Sequence, residues 1–205
     1  MIKSLCKIIS EKLLATTSLS EEEKNNYRYG LELFIRLLIE VIILYSLALL
    51  FNIFWPVFIA TVSFIILRTK AGGAHFLTYF QCLLFSVIVF LGIGFFAFLV
   101  IIYTPILLIW ILLTGATGVY LTGKYAPATT EQLPATSQQH KDKARKQSLI
   151  IVTALLLIHI ITLFTLPNLQ PLIFASSLGL FLEILALHPL SFKIINYISY
   201  KLNKN

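Results

Sequence analysis

Two stretches of this chain run further than a membrane crossing without one ionised side chain. No Lys, Arg, Asp or Glu occurs between Lys70 and Lys124, or between Lys146 and Glu183. One membrane helix needs about 20 apolar residues, so each gap holds at least one span. Composition agrees, with 58% hydrophobic and only 12% charged residues, where a soluble domain carries about a quarter charged. The chain reads as an all-α, polytopic membrane protein forming a single domain over residues 1–205.

Turn signals divide it into six spans, at 21–51, 53–67, 76–102, 106–121, 149–166 and 172–187. Ser20-Glu21-Glu22-Glu23 has the pattern of a capping box, a hydroxyl at the N-cap and a carboxylate three residues on, and opens the first. A turn around Asn52, the Gly-Gly stretch, Tyr103-Thr104-Pro105 and Pro167-Asn168-Leu169-Gln170-Pro171 separate the others. The segment 122–148 is the one long polar loop, ending in the basic run Lys141, Lys143, Arg145 and Lys146. Before the first span, Ile2, Leu5, Cys6, Ile9 and Leu13 recur at helical spacing with lysines between them. Residues 1–19 therefore read as an amphipathic helix in the headgroup layer, not as a cleavable signal peptide, because charges interrupt any h-region. Cys6 falls on its apolar stripe, either as a small buried hydrophobe or as an acylation site. The tail beyond Pro189 is again basic and amphipathic.

The sixteen cations set the orientation. All but Arg36 flank the spans, and all of these lie on the side of the two termini, the Arg68–Cys82 stretch and the 122–148 loop. By the positive-inside rule those parts face the cytoplasm. The net charge of +7 then reflects topology and contact with membrane lipids. No basic face interleaved with aromatics suggests a nucleic-acid partner.

Chemistry concentrates in Arg68 to Cys82, R-T-K-A-G-G-A-H-F-L-T-Y-F-Q-C. A thiol near an imidazole is the minimum equipment of a cysteine nucleophile. His75 and Cys82 are seven residues apart, so an unbroken helix would separate their backbones by roughly 10 Å, beyond side-chain contact. A catalytic pair therefore requires a bend, and Gly72-Gly73 supplies the freedom for one. The expectation is a non-helical loop over 68–74 that folds His75 back towards Cys82. Arg68 and Lys70 add positive potential favouring thiolate, or serve as ordinary cytoplasmic anchors. The pair itself has a second reading, as a buried Cys beside a satisfied His. Gln81 is a candidate for polarising a substrate carbonyl. Glu32, Arg36 and Glu40 share one helix face, either as a structural charge cluster or with Glu40 orienting the histidine or binding substrate. His140, His159 and His188 have no Cys neighbour and read as linker, packing or interfacial residues. No spacing resembles a metal site, and no cofactor motif is present.

Together these residues resemble the accessory gene regulator protein B (AgrB) family, membrane cysteine endopeptidases of Gram-positive quorum sensing. The resemblance rests on Arg68, Gly72-Gly73-Ala74-His75 and Cys82, on the E-E-E-K-x-x-Y-x-Y-G-L-E start of the first span, and on K-Y-A-P-A-x-T opening the polar loop. It implies Cys82 as nucleophile, His75 as its base, and Arg68 and Gly73 as supporting residues. It further implies an amphipathic, AgrD-like propeptide as substrate, cleaved through a thioester so that a thiolactone or lactone ring can close. A homodimer is also implied, for which Gly92 and Gly94 permit close helix contact. The run Lys141, Lys143, Arg145 and Lys146 reads equally as a docking surface for an acidic propeptide tail and as a solvated topogenic loop. The rival class is a transporter of a peptide or small molecule, with Arg36, Glu40 and Glu183 lining its path.

Overall fold

The charge-free runs do become helices, and they set the architecture of the computed structural model, which describes residues 20–100, 103–128 and 137–203. Seven α-helices are present among these residues: α1 (Glu21–Leu50), α2 (Phe54–Ala71), α3 (Tyr79–Leu99), α4 (Thr104–Tyr125), α5 (Gln138–Thr165), α6 (Gln170–Ala186) and α7 (Pro189–Asn203). A 3-10 turn, Pro167–Leu169, leads into α6. Six helices are long and apolar enough to cross a membrane, α6 counting together with its 3-10 turn. The expected helix over 1–19 lies outside the described residues.

Contacts divide the chain into two units, residues 1–46 and 47–205. In the first, Ser20 and Glu23 form the expected capping box: the Ser20 N–H and hydroxyl both donate to Glu23 Oε2, at 2.9 and 2.8 Å. The Glu23 N–H donates back to Ser20 Oγ at 3.3 Å. Further along α1, Arg36 is ion-paired with Glu32 one turn before it.

In the second unit α2 and α6 cross with almost no space between them. A side chain at Gly179 on α6 would fall on the carbonyl oxygen of Ala60 on α2. Apolar burial does little to join helices that are already in lipid, so packing and polar ties carry the association. Ser63 Oγ of α2 lies 2.6 Å from Ser176 Oγ of α6, which lies 2.7 Å from His159 Nε2 of α5. Trp110 of α4 donates to Ser177 Oγ at 2.8 Å, and Gln170 Nε2 donates to Thr104 Oγ1 at 2.8 Å. At one end of the bundle Leu67, Ala71, Ala126, Val152, Leu180, Ile184 and Leu187 form a buried cluster. It is the floor on which the Gly-Gly segment rests.

Several boundaries differ from those read off the sequence. Helix α2 runs through Arg68 to Ala71, because the first residue with a left-handed backbone is Gly72. Helix α4 continues to Tyr125, and nothing between Leu121 and Pro127 breaks it. Helix α5 begins at Gln138, eleven residues before the expected span. Ser137 caps it by accepting the His140 N–H, and Q-Q-H-K-D-K-A-R-K-Q contains no breaker. The basic run of 141–146 is therefore helical, and the loop expected over 122–148 gives up 122–125 to α4 and 138–148 to α5. Hydrophobicity marks where a helix enters lipid, which is a different point from where its hydrogen bonding begins.

Candidate active site

Helix α2 ends at two glycines that have both unusual backbone angles and no room for a side chain. Gly72 has φ 71° and Gly73 φ 133°, values that other residues rarely adopt. A Cβ on Gly72 would fall on the carbonyl oxygen of Ala128, and one on Gly73 would lie 2.6 Å from Arg68 Nη1. The main chain explains the crowding. The Ala128 N–H donates to Ala71 O at 2.7 Å, and the Gly73 N–H to Ala128 O at 3.0 Å, so Ala128 lies along the bend in a short parallel bridge with Gly72. The next N–H, of Ala74, donates to Ala186 O at the end of α6, at 2.9 Å.

Arg68 fastens this arrangement from below. Its guanidinium donates through Nη1 to Glu183 Oε2 at 3.1 Å and through Nη2 to Ala74 O at 2.9 Å. One cation thus ties the last turn of α2 to α6 and to the residue before His75. Glu183 is fully buried, and its Oε1 has no hydrogen-bond partner among the described residues. The sequence reading placed Glu183 only on a transport path and missed this role. The available signal was a lone carboxylate in an apolar span, which demands an opposite charge.

The irregular segment spans 72–78, not 68–74, since helix α3 starts at Tyr79 instead of Phe76. Thr78 is its N-cap, with its hydroxyl accepting the Gln81 N–H. His75 is exposed on this segment, with Nδ1 3.3 Å from Phe76 O. A carbonyl only accepts, so in the neutral ring Nδ1 carries the proton and Nε2 presents its lone pair. Phe76 is buried against Phe85, ring centres 5.0 Å apart, and pins the segment to α3. Cys82 is half-buried in the first turn of α3, its N–H donating to Thr78 O at 3.1 Å. The positive end of the helix dipole lies in that turn.

Other candidates fall elsewhere. Lys70 is exposed in the last turn of α2. Gln81 directs its amide nitrogen to Ser199 O at 3.4 Å and to Asn203 Oδ1 at 3.2 Å, both on α7. Within the basic run, Arg145 turns back to donate from Nε to Ala126 O at 3.0 Å, securing the chain that follows α4 towards the glycines. Lys143 and Lys146 are exposed and Lys141 is half-buried. Glu40 is half-buried on α1, one turn beyond Arg36 and in the other unit. Gly94 packs within the chain, against Ile53 and Val57, whereas Gly92 has open space around it. Among the described residues no three His, Cys, Asp or Glu cluster at metal-ligand spacing.

Known proteins resemble this chain over most of its length. The Accessory gene regulator B family profile matches residues 5–187. An AgrB-like protein of Clostridium perfringens is 32% identical over 178 residues, covering 82% of this chain and 80% of that one. Accessory gene regulator protein B of Staphylococcus aureus is 31% identical over 163 residues, covering 80% and 81%. The protein of that name from Staphylococcus carnosus is 32% identical over 131 residues, covering 64% and 65%. No solved structure matches. A six-span chain with its glycine bend fastened by Arg68, matched by these relatives over most of its length, belongs to the accessory gene regulator B family, membrane proteins of quorum-sensing gene regulation.

Proposed function

We propose that this chain is a membrane cysteine endopeptidase that processes a quorum-sensing propeptide at its C-terminal side. The observation that carries the reading is the break over 72–78. It takes His75 off the helix that bears Cys82, so the two are no longer fixed on one rod about 10 Å apart. Cys82 passes its thiol proton to His75 Nε2 and attacks a backbone carbonyl as a thiolate, in the turn where a helix favours an anion. The C–N bond breaks, the leaving amine takes its proton from His75, and the acyl group stays on sulfur as a thioester. A Cys or Ser side chain of the peptide then attacks that thioester, returning a proton to His75 and the thiolate to Cys82. The product is a thiolactone or lactone ring. Exchange between two thiols is nearly balanced in energy, so holding the attacking group close and keeping water out decide the outcome.

The substrate in this reading is an amphipathic, AgrD-like propeptide reaching the site from the inner membrane surface. The distribution of cations supports cytoplasmic termini and a cytoplasmic active site. The exposed lysines Lys143 and Lys146 at the start of α5 suit an acidic peptide tail. A homodimer belongs to the same proposal, with Gly92 as the small residue facing open space. The transporter reading loses support, because Glu183 is fully buried on Arg68 and Arg36 is paired with Glu32.

Co-expression with a candidate propeptide from a neighbouring reading frame tests the proposal. Mass spectrometry is expected to find cleaved peptide and an acyl adduct on Cys82, and neither with Cys82→Ala or His75→Ala. Continued cleavage by Cys82→Ala sinks it.

A further inference from the structure

Helix α7 has fifteen residues and starts three residues after the last span ends at Ala186. It is not one of the six spans, and its surface divides into three faces by the helical repeat. Phe192, Ile195 and Ser199 form the packed face, with Ser199 wholly buried. Leu190, Ile194, Tyr197 and Ile198 form an apolar stripe that the protein leaves uncovered, the first three of them more than half exposed. Lys193, Asn196 and Tyr200 form an exposed polar face. Lys201 falls on the apolar stripe, one turn beyond Tyr197, where a long side chain can carry its charge out to the headgroups, and the helix contains no acidic residue. A helix with one side on protein, one apolar and one polar, whose charges are two lysines and no acid, placed where a span leaves the membrane, matches an anionic headgroup layer.

The packed face reaches the segment between His75 and Cys82. Ser199 Oγ accepts the Leu77 N–H at 3.4 Å. The carbonyl of the same residue accepts from Gln81 Nε2 at 3.4 Å, and Asn203 Oδ1 accepts from that nitrogen at 3.2 Å. Leu77 and Gln81 stand on either side of Thr78, the cap of α3. Loose irregular backbone is thereby held at both ends of the cap by one helix, a helix beyond residue 187, where the family match stops.

We propose that α7 is a lipid-seated brace for the catalytic segment. Its apolar stripe and lysines rest on anionic headgroups, and in that seat Ser199 and Asn203 act as positioning residues that keep His75 addressed to Cys82. The inference rests on the reading of His75 and Cys82 as a catalytic pair, so its test must separate the two.

The full chain carrying Cys6→Ser, in which Cys82 is the one remaining thiol, is reconstituted into vesicles of phosphatidylcholine alone or mixed with phosphatidylglycerol. Iodoacetamide is the probe: sulfur displaces iodide, the thiol proton passes to the base, and intact mass gives the rate. Alkylation is expected to be faster in the anionic vesicles. Lys193→Gln with Lys201→Gln is expected to abolish that lipid difference while leaving the rate in phosphatidylcholine alone unchanged. Ser199→Ala with Asn203→Ala is expected to slow alkylation about thirtyfold in both vesicles, the factor that two lost hydrogen bonds carry. If His75→Ala slows alkylation but the Ser199/Asn203 pair does not, the brace is overturned and the catalytic pair stands. If the lipid difference survives loss of both lysines, the seat is overturned. If His75→Ala alkylates at the parent rate, the catalytic pair fails and the brace with it.

Discussion

At Gly73 two separate constraints exclude a side chain, a φ of 133° and the Arg68 guanidinium 2.6 Å from where a Cβ would be. Gly73→Ala must therefore either strain the backbone by about 1–3 kcal/mol or push Arg68 off Ala74 O. The expected result is a chain that reaches the membrane in normal amount while iodoacetamide alkylation of Cys82 slows roughly tenfold, about 1.4 kcal/mol, within that strain range. Glu183 makes a different prediction. Removing one partner of a buried ion pair costs about 3–5 kcal/mol, because the other charge is left in low dielectric. Glu183→Ala is expected to lower thermal stability in detergent by that order, and Arg68→Met with Glu183→Met by much less than the sum of the single changes. A double-mutant cycle by thermal unfolding checks both. The glycine bend was legible from sequence because the need for a bend is a local matter. The carboxylate that fastens the bend lies 115 residues from Arg68, and no local pattern names a partner so distant.

Helices α2 and α5 both extend beyond the apolar stretch that announces them. Polar residues can continue a helix after it leaves lipid, and hydropathy is blind to that continuation. The consequence for α5 is a division of labour among cations that look alike in sequence. Arg145 holds Ala126 O, beside the bridge that braces Gly72 and Gly73, whereas Lys143 is exposed. Arg145→Ala is expected to cost about 1.5–3 kcal/mol, as a charged hydrogen bond does. Lys143→Ala should stay within about 0.5 kcal/mol. Comparing the two in thermal unfolding separates a structural cation from a surface one. Hydrogen exchange of the 138–148 amides should show helical protection, where a topogenic loop would exchange at once.

For the molecule as a whole, the number and approximate place of the spans were readable from the charge-free runs alone, because lipid penalises ionised groups so heavily. How the spans pack was not, since the contacts that decide it are between small or polar residues on distant helices. The α2–α6 crossing is the clearest case: Gly179 lies against the Ala60 carbonyl, and Ser63 bonds Ser176 from 113 residues away. Gly179→Val is expected to force these helices apart, and because both carry anchors of the bend, it should lower stability and Cys82 reactivity together. A stable chain with normal alkylation would contradict that coupling. The same two helices also impose a schedule on synthesis. A ribosome that has delivered five spans to the bilayer has built a chain whose bend still lacks Glu183 and Ala186, the acceptors that shape it. Under the proposed function, the nascent peptidase stays chemically silent until its sixth span emerges, and interrupted translation leaves inert fragments, not a half-built catalyst working unsupervised.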